Sequence, residues 1–118
     1  MTDRTLTVTL LPRTPAVNVL RVTGELDHHT APDLREALEA APLVAGGALV
    51  LDLSSLTYCD STGITVLISA YHRAAGAGSA FVIAGLNDDL KRVFGIIGLD
   101  QVFTFHPSVE DAVSAQRS

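Results

Sequence analysis

Four apolar residues in a row, Ala48-Leu49-Val50-Leu51, follow the turn signal Gly46-Gly47. An apolar run without alternation reads as a strand covered on both faces, the centre of a sheet that carries helices. The chain then runs Asp52-Leu53-Ser54-Ser55-Leu56-Thr57-Tyr58-Cys59-Asp60-Ser61-Thr62-Gly63-Ile64. From Ile64 onward, Leu67, Ile68, Tyr71 and Ala75 recur at helical spacing,. Asp60-Ser61 is therefore expected at a helix mouth beyond the end of a buried strand. A hydroxyl there lies among unpaired backbone N–H groups at the positive end of the helix dipole. Such a place suits a phosphate or a partner.

The rest of the chain supplies elements to flank that unit. Leu6, Val8 and Leu10 alternate with threonines, as in a half-exposed edge strand,. Pro12-Arg13-Thr14-Pro15 reads as a turn. Val17 to Thr23 reads as a second strand antiparallel to the first, ended by Gly24, with Glu25-Leu26-Asp27-His28-His29 as a loop. Thr30 and Asp33 stand at capping-box spacing, with Pro32 tolerated in a first helical turn. Leu34, Ala37, Leu38 and Ala41 form the stripe of that helix, and Pro42 closes it. Gly76-Ala77-Gly78 stops the Ser61 helix, and Ala80–Ala84 is a second doubly buried strand. Asp88-Asp89 open a helix with the stripe Leu90, Val93, Phe94, Ile97, closed by Gly98,. Asn87, Arg92 and Ile96 fall off that stripe and could join a binding face beside the Ser61 helix. Val102–Phe105 is a last strand, and Ser108 with Asp111 caps a terminal helix whose end, Ala115 to Ser118, is expected to fray,.

The order β-β-α-β-α-β-α-β-α predicts a single α/β domain. Its mixed sheet starts antiparallel, continues as parallel βαβ units with right-handed crossovers, and is covered by about four helices. The 118 residues fit one domain, and 47% hydrophobic content is enough for a core,. A net charge of −5 disfavours electrostatic binding to nucleic acid or an anionic membrane,. Cys59 is the sole cysteine, so no internal disulfide is expected and the compartment is read as reducing,. No segment has the length and apolarity of a membrane span, and Met1-Thr2-Asp3-Arg4 does not begin a signal peptide,. The expected location is the cytoplasm.

Candidate reactive residues have plain alternatives. Ser61, or Asp60, could simply cap its helix. Asp52 is read as structural, bonding amides after its strand. His28-His29 suggest a metal, but adjacent histidines are expected to point apart, and no Cys/His/Asp cluster accompanies them. His72 and His106 stand alone. No metal site is expected. Cys59 reads as a small buried apolar residue.

At 52–54 and 60–64, Asp-Leu-Ser and Asp-Ser-Thr-Gly-Ile closely resemble the signature of the STAS domain. Gly24-Glu25-Leu26-Asp27 resembles that family's first loop, and Gly98-Leu99-Asp100-Gln101-Val102-Phe103 its last helix-to-strand turn. The resemblance runs from about residue 6 to 113 and points to a free-standing anti-sigma-factor antagonist. It implies that the unphosphorylated chain binds an anti-sigma factor that is a serine kinase and so frees the sigma factor. The kinase, supplying the ATP, then phosphorylates Ser61 and the antagonist lets go. A separate phosphoserine phosphatase resets it. It implies no cofactor of the chain's own. Partner contact is expected at Asp27, Asp60, Ser61, Thr62, Gly63 and Asn87, with Gly63 giving access to Ser61 and Asp27 an acidic setting. Cys59 stands where a bulkier apolar residue is common, and Thr62, in place of a frequent serine, adds a second hydroxyl.

An enzyme with Ser61 as nucleophile is disfavoured. Cys59 stands where the nucleophile elbow has its first glycine, no histidine is placed as base, and no Walker-type loop occurs. The alternative is a non-switching STAS subunit of a stress-signalling scaffold or a lipid-transport complex.

Overall fold

The computed structural model describes residues 5–116. Strands β1 (Leu6–Pro12) and β2 (Val17–Leu26) form an antiparallel pair. Helix α1 (Ala31–Ala40), β3 (Ala48–Cys59), α2 (Ser61–Gly76), β4 (Ala80–Ala84) and α3 (Asp88–Ile96) follow. A single 3₁₀ turn (Leu99–Gln101), β5 (Thr104–His106) and α4 (Val109–Ala115) complete the chain. The sheet runs in sequence order, β1-β2-β3-β4-β5, parallel from β2 onward. The expected fold class is therefore the observed one.

Alternation in β3 decides which side chains reach which helices. Leu49, Leu51 and Leu53 point to the face carrying α1, α2 and α3, whose Leu34, Leu38, Val66, Leu67 and Phe94 bury against them,. Ala48 and Val50 point to the opposite face and meet Ala112 and Val113 of α4. All four phenylalanines and Tyr71 join in edge-to-face and tilted contacts, with ring centroids 5.9–6.4 Å apart, linking α2, β4, β5 and α3.

Several boundaries differ from expectation. Pro12 belongs to β1, where it pairs with Asn18. Gly24 does not end β2. Its φ of 115° and its closeness to the Thr5 carbonyl exclude a side chain, and the ladder continues through it,. β3 extends well past Leu51 because two register shifts place extra residues opposite β2, between Arg21/Thr23 and Gly24/Glu25. These bulges change the inward spacing from two to three, so Leu53, Leu56 and Cys59 all remain buried,. That spacing does not look strand-like in sequence. The last strand is shorter and later than Val102–Phe105, because Leu99–Gln101 coils into the 3₁₀ turn.

The helical stripes are rotated too. The buried line of α2 is Gly63, Val66, Leu67, Ala70 and Ala74, whereas Ala75 is exposed and Ile64, Ile68 and Tyr71 flank the contact. Small residues sit at closest approach and larger ones pack alongside. On α3, Leu90 and Phe94 are buried, but Val93 and Ile97 are 43% and 52% exposed. Beneath α3 the sheet ends in the three-residue β5, too narrow to cover a wider stripe. The frayed end expected at 115–118 lies partly outside the described residues, as do the first four residues; Ala115 is helical.

Candidate functional site

β3 outruns β4, so its far half rises with the end of β2 as a two-stranded ribbon, Glu25 opposite Tyr58 and Leu26 opposite Cys59. At the tip, the Asp60 amide donates to the Leu26 carbonyl at 3.1 Å. This bond fixes the mouth of α2 to the end of β2. Asp60 is the N-cap. Its Oδ1 accepts from the Gly63 amide at 3.0 Å, and its carbonyl accepts from the Ile64 amide,. Ser61 is the first residue of α2 and is exposed, while Thr62 is half-buried. Among the described residues, no group hydrogen-bonds the Ser61 hydroxyl. Its carbonyl accepts from Thr65 Oγ1 at 2.9 Å. Asp60 thus does the capping, and the Ser61 hydroxyl is left to solvent or a partner.

Gly63 is buried and turned inward. A methyl group there would stand 2.5 Å from Leu26 Cγ and 3.1 Å from Cys59 Sγ. Its smallness therefore serves the seating of α2 on the ribbon, and the expected opening toward Ser61 is not where Gly63 lies. Burial, with the adjacent Asp60 charge, pushes the Cys59 thiol up to about 12. It remains protonated at neutral pH, consistent with a small packing residue.

Asp27, in the loop after β2, is 3% exposed and so is not a solvated acid. Its Oδ1 accepts from the amides of His29 and Thr30 at 2.9 and 3.0 Å. Thr30 Oγ1 answers by accepting from the Asp27 amide at 2.9 Å and donating to the Glu25 carbonyl at 2.8 Å. A reciprocal capping box thus exists, three residues earlier than expected, with Asp27 as the cap. Thr30 makes no side-chain cap to α1, because its oxygen is already engaged. Asp27 follows directly on Leu26, so the loop it organises lies beside the mouth of α2. Its carboxylate is thus engaged within that loop. His28 and His29 are exposed on it, and their rings lie together, centroids 4.0 Å apart and tilted by 38°, rather than pointing apart. Among the described residues no group of three or more His, Cys, Asp or Glu could hold a metal.

Asn87 caps α3. Its Oδ1 accepts from the Leu90 amide at 2.9 Å, and its Nδ2 donates to the Leu56 carbonyl at 3.1 Å. It remains exposed, with Asp88 and Asp89 beside it and Arg92 and Ile96 exposed further along α3. Asp52 is structural, as expected. Its Oδ1 accepts from the Ser54 hydroxyl and amide at 2.6 and 3.1 Å, and Arg21 Nε donates to Oδ2 at 3.2 Å. Burial pulls its carboxyl up, but the Ser54 and Arg21 bonds outweigh that and hold it below its ordinary value,.

The structure thus gathers the loops after β2 and β3 at the Ser61 tip, with Asn87 tied lower on the same ribbon. Three contributors were missed in the sequence: the Leu26 carbonyl, Thr65 and the exposed Tyr58. Thr65 stands one helical turn after Ser61, a spacing that could have revealed it.

Comparison with known proteins places this arrangement. A family model described as Mlab, STAS domain, matches residues 9–106. An anti-sigma-B factor antagonist of Listeria monocytogenes is 41% identical over 81 residues, covering 69% of this chain and 71% of that protein. One from Bacillus subtilis is 33% identical over 95 residues, covering 80% of this chain and 85% of its own. The crystal structure of an anti-sigma factor antagonist from Mycobacterium paratuberculosis superposes with a TM-score of 0.82 at 30% identity, covering 97% of this chain and 96% of that one.

Proposed function

Since the chain belongs to the STAS domain family, we propose that it is an anti-sigma-factor antagonist switched by phosphorylation of Ser61. The observation that carries the reading is the Ser61 hydroxyl, exposed and without an intramolecular partner on the first residue of α2. In the unmodified state the Ser61 tip, with Thr62, Asp60 and Asn87 around it, receives an anti-sigma factor and so releases the sigma factor. The anti-sigma factor is a serine kinase that brings its own ATP. A phosphatase restores the hydroxyl. The chain itself performs no catalysis and needs no cofactor, and the exchange takes place in the cytoplasm. Among the described residues, no helix is long and apolar enough to cross a membrane.

Physical chemistry makes the switch asymmetric. A phosphoserine carries roughly −1.5 to −2 charges at neutral pH. On the first residue of a helix, backbone N–H groups and the dipole accommodate that charge, so the antagonist keeps its fold. A partner surface fitted to a neutral hydroxyl beside the Asp60 carboxylate meets instead a bulky dianion next to an acid. Each ~1.4 kcal/mol of mismatch lowers affinity tenfold.

The test is intact mass and site mapping after incubation with ATP and candidate anti-sigma kinases from the same cell. One phosphate on Ser61, absent without kinase, is the expected result. Phosphate on Thr62 instead would move the switch by one residue. A candidate that binds tightly yet transfers nothing, and does not distinguish Ser61→Ala from Ser61→Asp, would replace this reading with a constitutive STAS subunit of a scaffold or lipid-transport complex.

A further inference from the structure

Strand β1 forms one edge of the sheet, so half of its backbone N–H and C=O groups face outward with no neighbouring strand among the described residues. Proteins ordinarily blunt such an edge with charged side chains, prolines or bulges. From Leu6 to Leu11 this edge has none of them, and its pairing to β2 is unbroken to Pro12 at its far end. Beside the edge, a cleft of about 330 Å³ opens between β1 and α1. Leu6, Val8, Ala37 and Ala40 supply its apolar lining, and Asp33 and Glu36 its charge. Leu10, 40% exposed, continues the row of Leu6 and Val8. Asp33 and Glu36 are exposed, one turn apart on α1, and neither carboxylate has an ion pair or hydrogen bond among the described residues.

We propose that β1 and this cleft receive an extended segment of another protein as a sixth strand, one that alternates apolar side chains and carries lysine or arginine. Backbone hydrogen bonds to β1 supply the attachment, and the cleft reads every second side chain. Apolar side chains of the segment extend the row over Leu6 and Val8, and its cations answer Asp33 and Glu36. A second copy of this chain fits less well. A two-fold axis through the paired edges would keep both α1 helices on one face and set Asp33 and Glu36 opposite their own copies. Leu6–Pro12 holds no cation to answer them,. The surface is separate from the Ser61 tip and does not depend on the reading given to Ser61.

The probe is a capped seven-residue peptide alternating valine and threonine with lysine at both ends, and a matched peptide with glutamate at both ends. Each is titrated into isotope-labelled protein and followed by amide shifts and hydrogen exchange. The expected result is perturbation and new protection confined to Leu6–Leu11 and the neighbouring face of α1, by the lysine peptide in preference to the glutamate one. Glu36→Lys, a change on an exposed helix surface, should weaken the lysine peptide by about fivefold and favour the glutamate peptide. If that variant lost its fold, Glu36→Gln would serve, with a smaller loss of preference. Absence of β1 perturbation at millimolar peptide, or equal response to both peptides, overturns the proposal. Protection of β1 that rises with protein concentration without peptide also overturns it, in favour of a second copy.

Discussion

A methyl group at position 63 has nowhere to go, because Leu26 Cγ and Cδ2 lie 2.5 and 2.8 Å from where it would stand. Gly63→Ala is therefore expected to destabilise the protein by about 1–3 kcal/mol, read as a lower urea midpoint with unchanged m-value. Asp60→Ala removes a cap and should cost about 1 kcal/mol, while Asp60→Asn keeps most of it. A full-cost Asn variant would mean that charge, and not capping, is what position 60 supplies. Asp52 sets a pH dependence. Its carboxyl is held below its ordinary value in the fold, so its contribution is present above the unfolded value of about 3.9 and is lost as pH falls through the folded one. Thermal melts of Asp52→Asn should lie below the parent at neutral pH and converge with it in acid. Parallel curves at all pH values would remove the carboxylate from the explanation.

At the scale of elements, the least expected feature is the length of β3. The alternation Leu49, Leu51, Leu53 is legible as a strand, but Leu56 and Cys59 follow at spacings of three because the bulges opposite Arg21–Glu25 consume the extra residues. Bulges arise from pairing with a particular neighbour, and one strand read alone does not carry that information. The capping of α1 misled for a related reason. Thr30 has the right type and spacing to cap, yet its oxygen is held by the Asp27 amide and the Glu25 carbonyl. Ser108 has no such competitor and accepts from the Asp111 amide at 3.1 Å, as its spacing predicts. Helix α4 covers its face of the sheet with Ala112 and Val113. Ala112→Asp would bury an unpaired carboxylate and should cost about 3 kcal/mol or more. Limited proteolysis should then release the segment after Pro107, and a protease-resistant variant would show that α4 contributes little.

For the whole molecule, the division of labour between fold and tip gives a paired prediction. Under the proposed switch, phosphorylation of Ser61 should leave the melting temperature within a few degrees of the unmodified protein, since the helix mouth accommodates charge. Affinity for the anti-sigma factor should fall by about tenfold for each 1.4 kcal/mol of mismatch. Calorimetry on the phosphorylated and unmodified forms reads both at once. A large drop in melting temperature would place the switch in unfolding of the antagonist instead of in the contact.

Element order, sheet class and the position of Ser61 at a helix mouth follow from local chemistry. Hydrophobic period, turn residues and cap types act over a few neighbours and are written in the chain. Tertiary structure alone decided which flank of each helix is covered. Ala70 and Ala74 lie at the centre of the α2 contact, and Ala75, equally apolar, is exposed. Val93 and Ile97 stay open because the sheet below them ends. It decided too that Asp27 is a buried cap and Gly63 a packing residue. Burial is a property of what lies opposite, and residues far apart in sequence supply it: Leu26 for Gly63, and Leu56 for Asn87.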